Sequence, residues 1–210
     1  MEKIGFIGLG IMGKPMALNL IKVGYHVNVL SASNASGILK QAGASLIDNI
    51  AELSKHSDII ITMLPDSPDV KNVVFEVLEG INSGSLFIDM STISPAVSLE
   101  IFTSMKDKGV SALDAPVSGG QVGAEAASLS IMVGGDEPSF NRALPIFQTL
   151  GKNIVLIGEP GAGQVTKACN QMIVGITIQA VSEAFSLAKK AGVNLPKMRE
   201  VLLGGFAQSR

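Results

Sequence analysis

Along the first 157 residues, short and nearly continuous apolar segments alternate with longer segments in which apolar residues recur at helical spacing. The apolar segments have the pattern of strands buried on both faces, and they cover residues 4–7, 27–30, 58–64, 85–89, 111–113, 128–133 and 153–157. The helical segments cover residues 13–23, 35–41, 68–78, 95–108 and 138–150. This regular alternation predicts an α/β fold with a doubly wound parallel sheet and right-handed crossovers.

The pattern changes after residue 157. A glycine-rich segment leads into a helical pattern that continues to about residue 191 without another strand, and Pro196 can open a further helix. We therefore expect an α/β domain over residues 1–160, followed over residues 161–210 by a long helix and the start of an all-helical domain. The most apolar part of this helix, residues 172–178, is flanked by polar residues and is shorter than a membrane span of roughly 18 residues, so it is predicted to be a buried helix.

The first predicted strand is followed by residues 8–13, Gly-Leu-Gly-Ile-Met-Gly, which open the first predicted helix. In a Rossmann-like βαβ unit the first glycine permits a tight turn, the second lets the backbone approach a pyrophosphate, and the third lets the helix pack on the strand. The start of the helix offers free N–H groups to the phosphates. The segment, called the glycine loop below, predicts a Rossmann-like dinucleotide-binding domain.

Two alternatives concern the ligand of the glycine loop. Residues 8–14 also satisfy most of the phosphate-binding motif Gly-x-x-x-x-Gly-Lys-[Ser/Thr], but Pro15 lacks the hydroxyl that binds magnesium, which argues against a nucleoside triphosphatase. After the second strand an acidic residue usually holds the ribose of NAD, and an arginine favours NADP. This chain has only short polar residues there, beginning at Ser31. Because no arginine is present, NAD is slightly favoured over NADP.

Composition and charge narrow the class of protein. The chain is 47% hydrophobic and 16% charged, so much apolar surface must be buried, part of it between the subunits of an expected homo-oligomer. A net charge of −2 without a basic segment argues against nucleic-acid and membrane partners. A single cysteine, Cys169, allows neither an intrachain disulfide nor a cysteine metal cluster, which fits a reducing, cytoplasmic location; no metal site is predicted.

Further motifs follow in order along the chain. They are 63–65 (Met-Leu-Pro), 89–95 (Asp-Met-Ser-Thr-Ile-Ser-Pro), 114–120 (Asp-Ala-Pro-Val-Ser-Gly-Gly), 132–135 (Met-Val-Gly-Gly) and 163–171 (Gly-Gln-Val-Thr-Lys-Ala-Cys-Asn-Gln). With the glycine loop, they resemble the β-hydroxyacid dehydrogenase family over the whole chain. Residues 181–184 and 204–210 resemble its tartronate semialdehyde reductases more than its 3-hydroxyisobutyrate dehydrogenases.

The resemblance implies reversible hydride transfer between a nicotinamide cofactor and a short hydroxy acid or semialdehyde, which is a small-molecule carboxylate substrate. Tartronate semialdehyde, the oxidised partner of glycerate, is favoured. Methylmalonate semialdehyde, the partner of 3-hydroxyisobutyrate, and succinic semialdehyde stay open, because pocket side chains outside the motifs set that choice.

Lys167 is the candidate general acid/base. It lies near the start of the long apolar helix, where desolvation would lower a lysine pKa towards neutrality. Asn170 and Gln171 follow it by three and four residues, so the three share one helical face. The resemblance assigns the lysine the acid/base role and the neighbouring amide side chains substrate binding. His26 and His56 lie outside the glycine-rich loops and are not candidates.

Ser118, Gly119 and Gly120, called the Ser-Gly-Gly loop below, follow a predicted strand at the edge where open α/β folds bind ligands. Glycines there can turn N–H groups towards an anion, and the resemblance implies that this loop binds the substrate carboxylate. By the same resemblance, two other strand-end loops flank the cofactor. The implied cofactor-binding residues are Gly8, Leu9, Gly10, Ile11, Met12, Gly13, Ser31, Met63, Leu64, Pro65 and Thr92. Asp89 and Asp114 suit strand-end hydrogen bonding and receive no catalytic role.

Some features depart from the family pattern. Family members continue for about another half-domain of helices, so this chain is predicted to be C-terminally truncated, and a cofactor-binding protein without catalysis is an alternative. The long helix would then expose an apolar face unless a partner covers it. Ala127 stands where the family usually has glycine, and a positive φ there would strain alanine by about 1 kcal/mol. Gln121 stands where the family often has glutamate.

Overall fold

The computed structural model describes residues 2–208. Their strands and helices follow in the order β1 (Lys3–Ile7), α1 (Gly13–Lys22), β2 (His26–Leu30), α2 (Ser36–Ala42), β3 (Ser45–Ile47), α3 (Ile50–Lys55), β4 (Ile59–Thr62), α4 (Ser67–Gly80), β5 (Leu86–Asp89), α5 (Pro95–Asp107), β6 (Ser111–Asp114), β7 (Val117–Ser118), α6 (Gly120–Glu125), β8 (Leu129–Gly134), α7 (Glu137–Leu150), β9 (Gly151–Gly158), α8 (Ala162–Lys190) and α9 (Leu195–Leu203). The chain forms two compact units, one ending at Lys167 and one beginning at Ala168, both within α8. The division predicted from the sequence lies earlier, after residue 160.

The first unit is built on a sheet whose order begins β3-β2-β1-β4-β5-β6. This is the strand order of a Rossmann fold, and each neighbouring pair among these strands is parallel. The order reverses between β1 and β4. Open sheets of this kind bind ligands beyond the carboxyl ends of the strands at such a reversal, and the glycine loop follows β1 at that place.

Beyond β6 the sheet is mixed, which corrects the expectation of a parallel sheet throughout. β8 runs antiparallel to β6, with Asp114 opposite Gly134, and antiparallel to β7. The reason lies in the connection: after β6 the chain forms β7, which pairs directly with β8, so the chain reverses instead of crossing a sheet face. β9 then pairs parallel to β8. The sheet is mainly parallel, and the predicted Rossmann-like fold followed by a long helix is confirmed.

Apolar side chains fill layers on both faces of the sheet. In β1, Phe6 is buried in the layer that contains Met16 of α1, and Ile7 is buried in the opposite layer with Leu53. None of these four side chains is more than 3% exposed. Burial on both faces explains why the strand segments are nearly continuous apolar runs in the sequence.

The longer helices begin where their caps and prolines predict. Asp66 and Asp136 accept hydrogen bonds from backbone N–H groups at the starts of α4 and α7, and Pro68, Pro95 and Pro138 occupy first-turn positions of α4, α5 and α7. Four short elements, β3, α3, β7 and α6, are absent from the sequence prediction. Each has between two and six residues, too few to establish a period.

The second unit contains the remainder of α8 and α9, whose N-cap is Asn194 and whose first turn holds Pro196. Large apolar side chains of α8 are exposed in this chain: Ile173 is 68% and Ile176 is 67% exposed. The prediction that residues 172–178 are buried is therefore wrong for these two side chains, because helical periodicity predicts an apolar face but not what covers it. By length and composition alone, α8 is also long and apolar enough to cross a membrane, a test that core helices of soluble proteins pass as well.

Candidate active site

The glycine loop contains two kinds of glycine. Gly8 has φ +96°, and a Cβ there would overlap the carbonyl oxygen of Met63. A Cβ on Gly13 would overlap the carbonyl oxygen of Gly8. Gly10 differs, because no atom lies within 4 Å of the position that its Cβ would take. Gly8 and Gly13 are thus required by backbone packing, whereas Gly10 faces free space.

The backbone N–H groups of this loop are available to a ligand. Met12 is the N-cap of α1 and provides no side-chain cap. Lys14 and Met16 donate to carbonyl oxygens within the loop, but within residues 2–208 no acceptor lies in hydrogen-bonding position for the N–H groups of residues 9–13. Ile11 is 70% exposed, while Leu9 and Met12 pack against the core. Free N–H groups, a helix N-terminus and the space at Gly10 fit the pyrophosphate of a dinucleotide.

The other predicted cofactor loops contact the glycine loop or each other. Residues 63–65 follow β4, and Met63 donates its N–H to the Ile7 carbonyl oxygen at 2.9 Å. Leu64 donates its N–H to Ser91 Oγ, also at 2.9 Å, which joins the loop after β4 to the loop after β5. Thr92, in the loop after β5, is exposed beside Ser91. The structure thus brings together residues 8–13, 63–65 and Thr92.

Gln164 joins this group of loops to the start of α8. Its side chain is 1% exposed. Gln164 Nε2 donates to the Ser91 carbonyl oxygen at 2.8 Å, and its Oε1 accepts from the Ile93 N–H at 3.1 Å. These two bonds hold the residues on either side of Thr92 and leave Thr92 itself exposed. They also fix the turn of α8 that precedes Lys167.

Asp114 anchors the same turn to the end of β6. Its two carboxylate oxygens accept hydrogen bonds from the N–H groups of Gly161, at 2.7 Å, and Gln164, at 2.8 Å. Burial raises the pKa of Asp114, although these N–H groups stabilise its charged form. At the end of β5, Asp89 Oδ1 accepts from Thr62 Oγ1 and from the Ser91 N–H. Burial also raises the pKa of Asp89. Both carboxyl groups hold strand ends, the role expected from their sequence positions.

Lys167 follows on α8, less than one turn after Gln164. It is 8% exposed, and burial lowers the pKa of its ammonium group. Among the described carboxylates none lies within 4.0 Å of its Nζ. A desolvated lysine without a compensating charge can exchange a proton more readily near neutral pH than an exposed one, which suits a general acid.

The Ser-Gly-Gly loop runs from the end of β7, at Ser118, to the first residue of α6, Gly120. Gly119 has φ +139° and Gly120 has φ +60°, conformations that favour glycine. No atom lies within 4 Å of a Cβ position on Gly120, and no side chain caps the first N–H groups of α6. Asn19 of α1 donates to the Ala124 carbonyl oxygen of α6 at 2.8 Å, so the helices that follow the two glycine-containing loops are bonded to each other.

The remaining predicted site residues follow β2 in the first unit or belong to the second unit. Ser31 follows β2 and donates its hydroxyl to Asp48 Oδ1 at 3.1 Å. Asn170 and Gln171 belong to the second unit, where Asn170 Nδ2 donates to Gln171 Oε1 at 3.0 Å. His26, at the start of β2, and His56, after α3, are both exposed. Within residues 2–208 no cluster of His, Cys, Asp and Glu is arranged to hold a metal ion.

Sequence reasoning missed Gln164, Ser91 and Asp48. Gln164 and Ser91 lie inside motifs that the sequence analysis used, but nothing in the sequence shows that their side chains bond across 73 positions. Asp48 follows β3, a strand too short to predict, so the sequence gives no reason to place it beside Ser31. By contrast, Ala127, which stands where the family usually has glycine, does have the positive φ that strains alanine, +52°.

Comparison with known proteins agrees with this geometry. Residues 3–158 match the model of the NAD binding domain of 6-phosphogluconate dehydrogenase, and residues 161–210 match that of the NAD-binding domain of NADP-dependent 3-hydroxyisobutyrate dehydrogenase. The chain is 45% identical to 2-hydroxy-3-oxopropionate reductase of Escherichia coli, over 99% of this chain and 72% of the relative. It is 44% identical to a probable mitochondrial 3-hydroxyisobutyrate dehydrogenase of Dictyostelium discoideum, over 94% of this chain and 63% of the relative.

The fold has close counterparts among solved structures. A structure of Mycobacterium tuberculosis 3-hydroxyisobutyrate dehydrogenase with L-serine matches with a TM-score of 0.93 and 38% identity, over 100% of this chain and 72% of that chain. Because the sequence identity is this high and both domains match family models, the chain shares the family of these proteins as well as their fold. The chain therefore belongs to the NAD(P)-dependent β-hydroxyacid dehydrogenases, the oxidoreductase family of 3-hydroxyisobutyrate dehydrogenase and 2-hydroxy-3-oxopropionate reductase.

Proposed function

We propose that this enzyme interconverts tartronate semialdehyde and glycerate, with Lys167 as general acid/base and NAD(H) favoured over NADP(H). The observation that carries the proposal is the position of Lys167. It is a buried lysine without a carboxylate partner among the described residues, and it lies about one turn of α8 after Gln164, which bonds the loop after β5; that loop bonds the loop after β4, which packs against Gly8. The choice of tartronate semialdehyde is supported by the 45% identity to 2-hydroxy-3-oxopropionate reductase.

Different loops of the first unit would bind the cofactor and the substrate. The N–H groups of residues 9–13 would hold the pyrophosphate, and Met63, Leu64, Pro65 and Thr92 would flank the rest of the cofactor. The bound nicotinamide supplies or accepts the hydride. Ser118, Gly119 and Gly120 would bind the substrate carboxylate through backbone N–H groups. By the family resemblance, Asn170 and Gln171 would also bind the substrate.

Lys167 would donate a proton to the carbonyl oxygen as the hydride arrives at the carbon, and would take it back in the oxidation direction. The sign of the pH dependence follows from burial. Because burial lowers the pKa of Lys167, the ammonium form is lost at a lower pH than for an exposed lysine. Reduction therefore slows as the pH rises through this lowered pKa, whereas the chemical step of oxidation becomes faster.

The decisive variant is Lys167→Met. We expect kcat to fall by about 10²- to 10⁴-fold, the typical contribution of a general acid/base, while the Kd for NADH changes little. Lys167→Arg should also be poorly active and should lose the pH dependence, because a guanidinium does not release its proton. The exposed Lys190, in the last turn of the same helix, provides the control variant Lys190→Met, with kcat unchanged.

The measurement is steady-state kinetics from pH 6 to 10 with tartronate, methylmalonate and succinic semialdehydes, each with NADH and NADPH. The highest kcat/KM is expected with tartronate semialdehyde and NADH. An unchanged kcat in Lys167→Met removes the lysine from the mechanism. Dinucleotide binding without turnover of any of the three substrates would favour a cofactor-binding protein without catalysis.

Two further expectations accompany the proposal. The exposed apolar side chains of α8 support a homo-oligomer, which sedimentation of the purified chain would detect as a mass above 21.8 kDa. A cytoplasmic location stays a prediction from the sequence.

A further inference from the structure

Two side chains meet at the carboxyl ends of β2 and β3. These strands are neighbours and parallel, with Leu30 opposite Ile47, so the residues that follow them lie side by side. Ser31 follows β2, and Asp48 follows β3. Ser31 Oγ donates to Asp48 Oδ1 at 3.1 Å, and the Asp48 side chain is exposed.

Asp48 has no other hydrogen-bonding role in the part of the chain that the structure describes. The N-cap of α3 is its neighbour Asn49, whose Oδ1 accepts from the Glu52 N–H at 2.9 Å. Ser31 is the one described residue that bonds the Asp48 side chain. The carboxylate is therefore free to act on a ligand, directly or through Ser31.

The bond between them fixes what Ser31 can offer. A serine hydroxyl has one proton to donate and two lone pairs, and a carboxylate only accepts. With its proton given to Asp48, Ser31 Oγ can accept a hydrogen bond from a ribose 2′-hydroxyl. A 2′-phosphate carries acceptor oxygens and negative charge. The lone pairs of Ser31 Oγ and the charge of the Asp48 carboxylate would repel it, which disfavours NADP.

Among the described residues, no lysine or arginine lies within 4.0 Å of the Asp48 carboxylate. Neither residues 23–39 nor residues 41–54 contain a lysine or an arginine. Glu52, on the first turn of α3, already has a partner for its charge, because Lys55 Nζ lies 3.7 Å from its carboxylate. NADP sites in Rossmann folds commonly use an arginine near the end of the second strand, and this chain has none there.

We propose that Asp48 is a positioning residue that selects NAD over NADP, by holding the hydroxyl proton of Ser31 and by placing a negative charge beside the adenosine ribose. The inference rests on the proposed function, because it requires a dinucleotide bound at the glycine loop. In this chain a carboxylate after β3, acting through a serine after β2, takes the place of the acidic residue that usually ends the second strand of an NAD site.

The test measures Kd values by fluorescence titration with NADH and NADPH, and by calorimetry with the fragments 5′-AMP and 2′,5′-ADP, which need no turnover. We expect the wild-type protein to bind NADH at least about tenfold more tightly than NADPH, about 1.4 kcal/mol. Asp48→Ala should remove most of this preference, because NADH should bind more weakly and NADPH more tightly than to the wild-type protein. Asp48→Asn should lose less of the preference for NADH, because the asparagine Oδ1 still accepts from Ser31. Asp48→Glu should retain part of the preference that Asp48→Ala loses.

Glu52→Gln is the matched control, since it removes one negative charge from the neighbouring helix α3 at a side chain that has no bond to Ser31. Its ratio of the two Kd values should stay close to that of the wild-type protein. An unchanged ratio in Asp48→Ala, or a wild-type protein that binds NADPH as tightly as NADH, overturns the inference and leaves the proposed chemistry intact. A wild-type protein that binds neither dinucleotide overturns the proposed function together with the inference.

Discussion

In the glycine loop, a Cβ on Gly8 or Gly13 would overlap a backbone carbonyl oxygen, whereas in the Ser-Gly-Gly loop Gly120 has φ +60° and free space around a Cβ position. The first pair of glycines permits close approach of backbone to backbone. Gly120 permits a left-handed backbone turn beside open space. Gly10 belongs to the glycine loop but resembles Gly120 in its free space. The two glycine-containing loops thus use glycine for different physical reasons, and each reason predicts a different result of adding one methyl group.

The largest contrast is expected within the glycine loop. In Gly13→Ala the added methyl group overlaps the Gly8 carbonyl oxygen and pushes the start of α1 away from the end of β1. Overpacking of this kind lowers the free energy of unfolding by about 3 kcal/mol. Gly10→Ala meets no atom within 4 Å, so stability should be unchanged or slightly raised. Its methyl group would instead occupy the space of the pyrophosphate and raise the Kd for NADH at least about tenfold.

Chemical denaturation and NADH titration of both variants check this contrast. Gly13→Ala should unfold at lower denaturant, and Gly10→Ala should fold normally but bind weakly. Normal NADH affinity in Gly10→Ala would show that the cofactor phosphates do not approach this loop where proposed.

A smaller effect is expected in the Ser-Gly-Gly loop. Gly120→Ala places alanine at φ +60°, which costs about 1 kcal/mol, and puts a methyl group where the substrate carboxylate is proposed to bind. We expect KM for the semialdehyde to rise about tenfold while the Kd for NADH stays constant. A rise in the Kd for NADH without a change in KM would reverse the assignment of the two loops.

The smallest effect concerns Ala127, which has φ +52° just after α6. Replacing it with glycine removes the steric cost of the left-handed conformation, so Ala127→Gly should stabilise the chain by about 0.5 to 1 kcal/mol. The neighbouring Ala126 has φ −81°, so Ala126→Gly should instead destabilise. Thermal unfolding compares the two variants, and equal shifts in Tm would mean that Ala127 is not strained.

The fold was predictable to the extent that its segments carry a period. Five of the six parallel strands that define the Rossmann order, all except β3, and the long helices were predicted, because burial on both faces and helical repeats leave strong patterns over many residues. The reversal at β7 was not, because a strand of two residues has no period and its pairing with β8 is a tertiary contact. Apolar pattern also failed to predict burial in α8, since burial depends on what covers a face.

For the site, the sequence by itself determined the chemical groups and their order: the glycine loop, the Ser-Gly-Gly loop and Lys167, each recognisable from neighbours along the chain. The tertiary structure alone decided how these groups are held. Gln164 bonds Ser91 and Asp114 bonds Gly161 across 73 and 47 positions, and Asp48 reaches Ser31 from a neighbouring strand. Such bonds depend on where folded strands end, and no local pattern of residue types encodes that position.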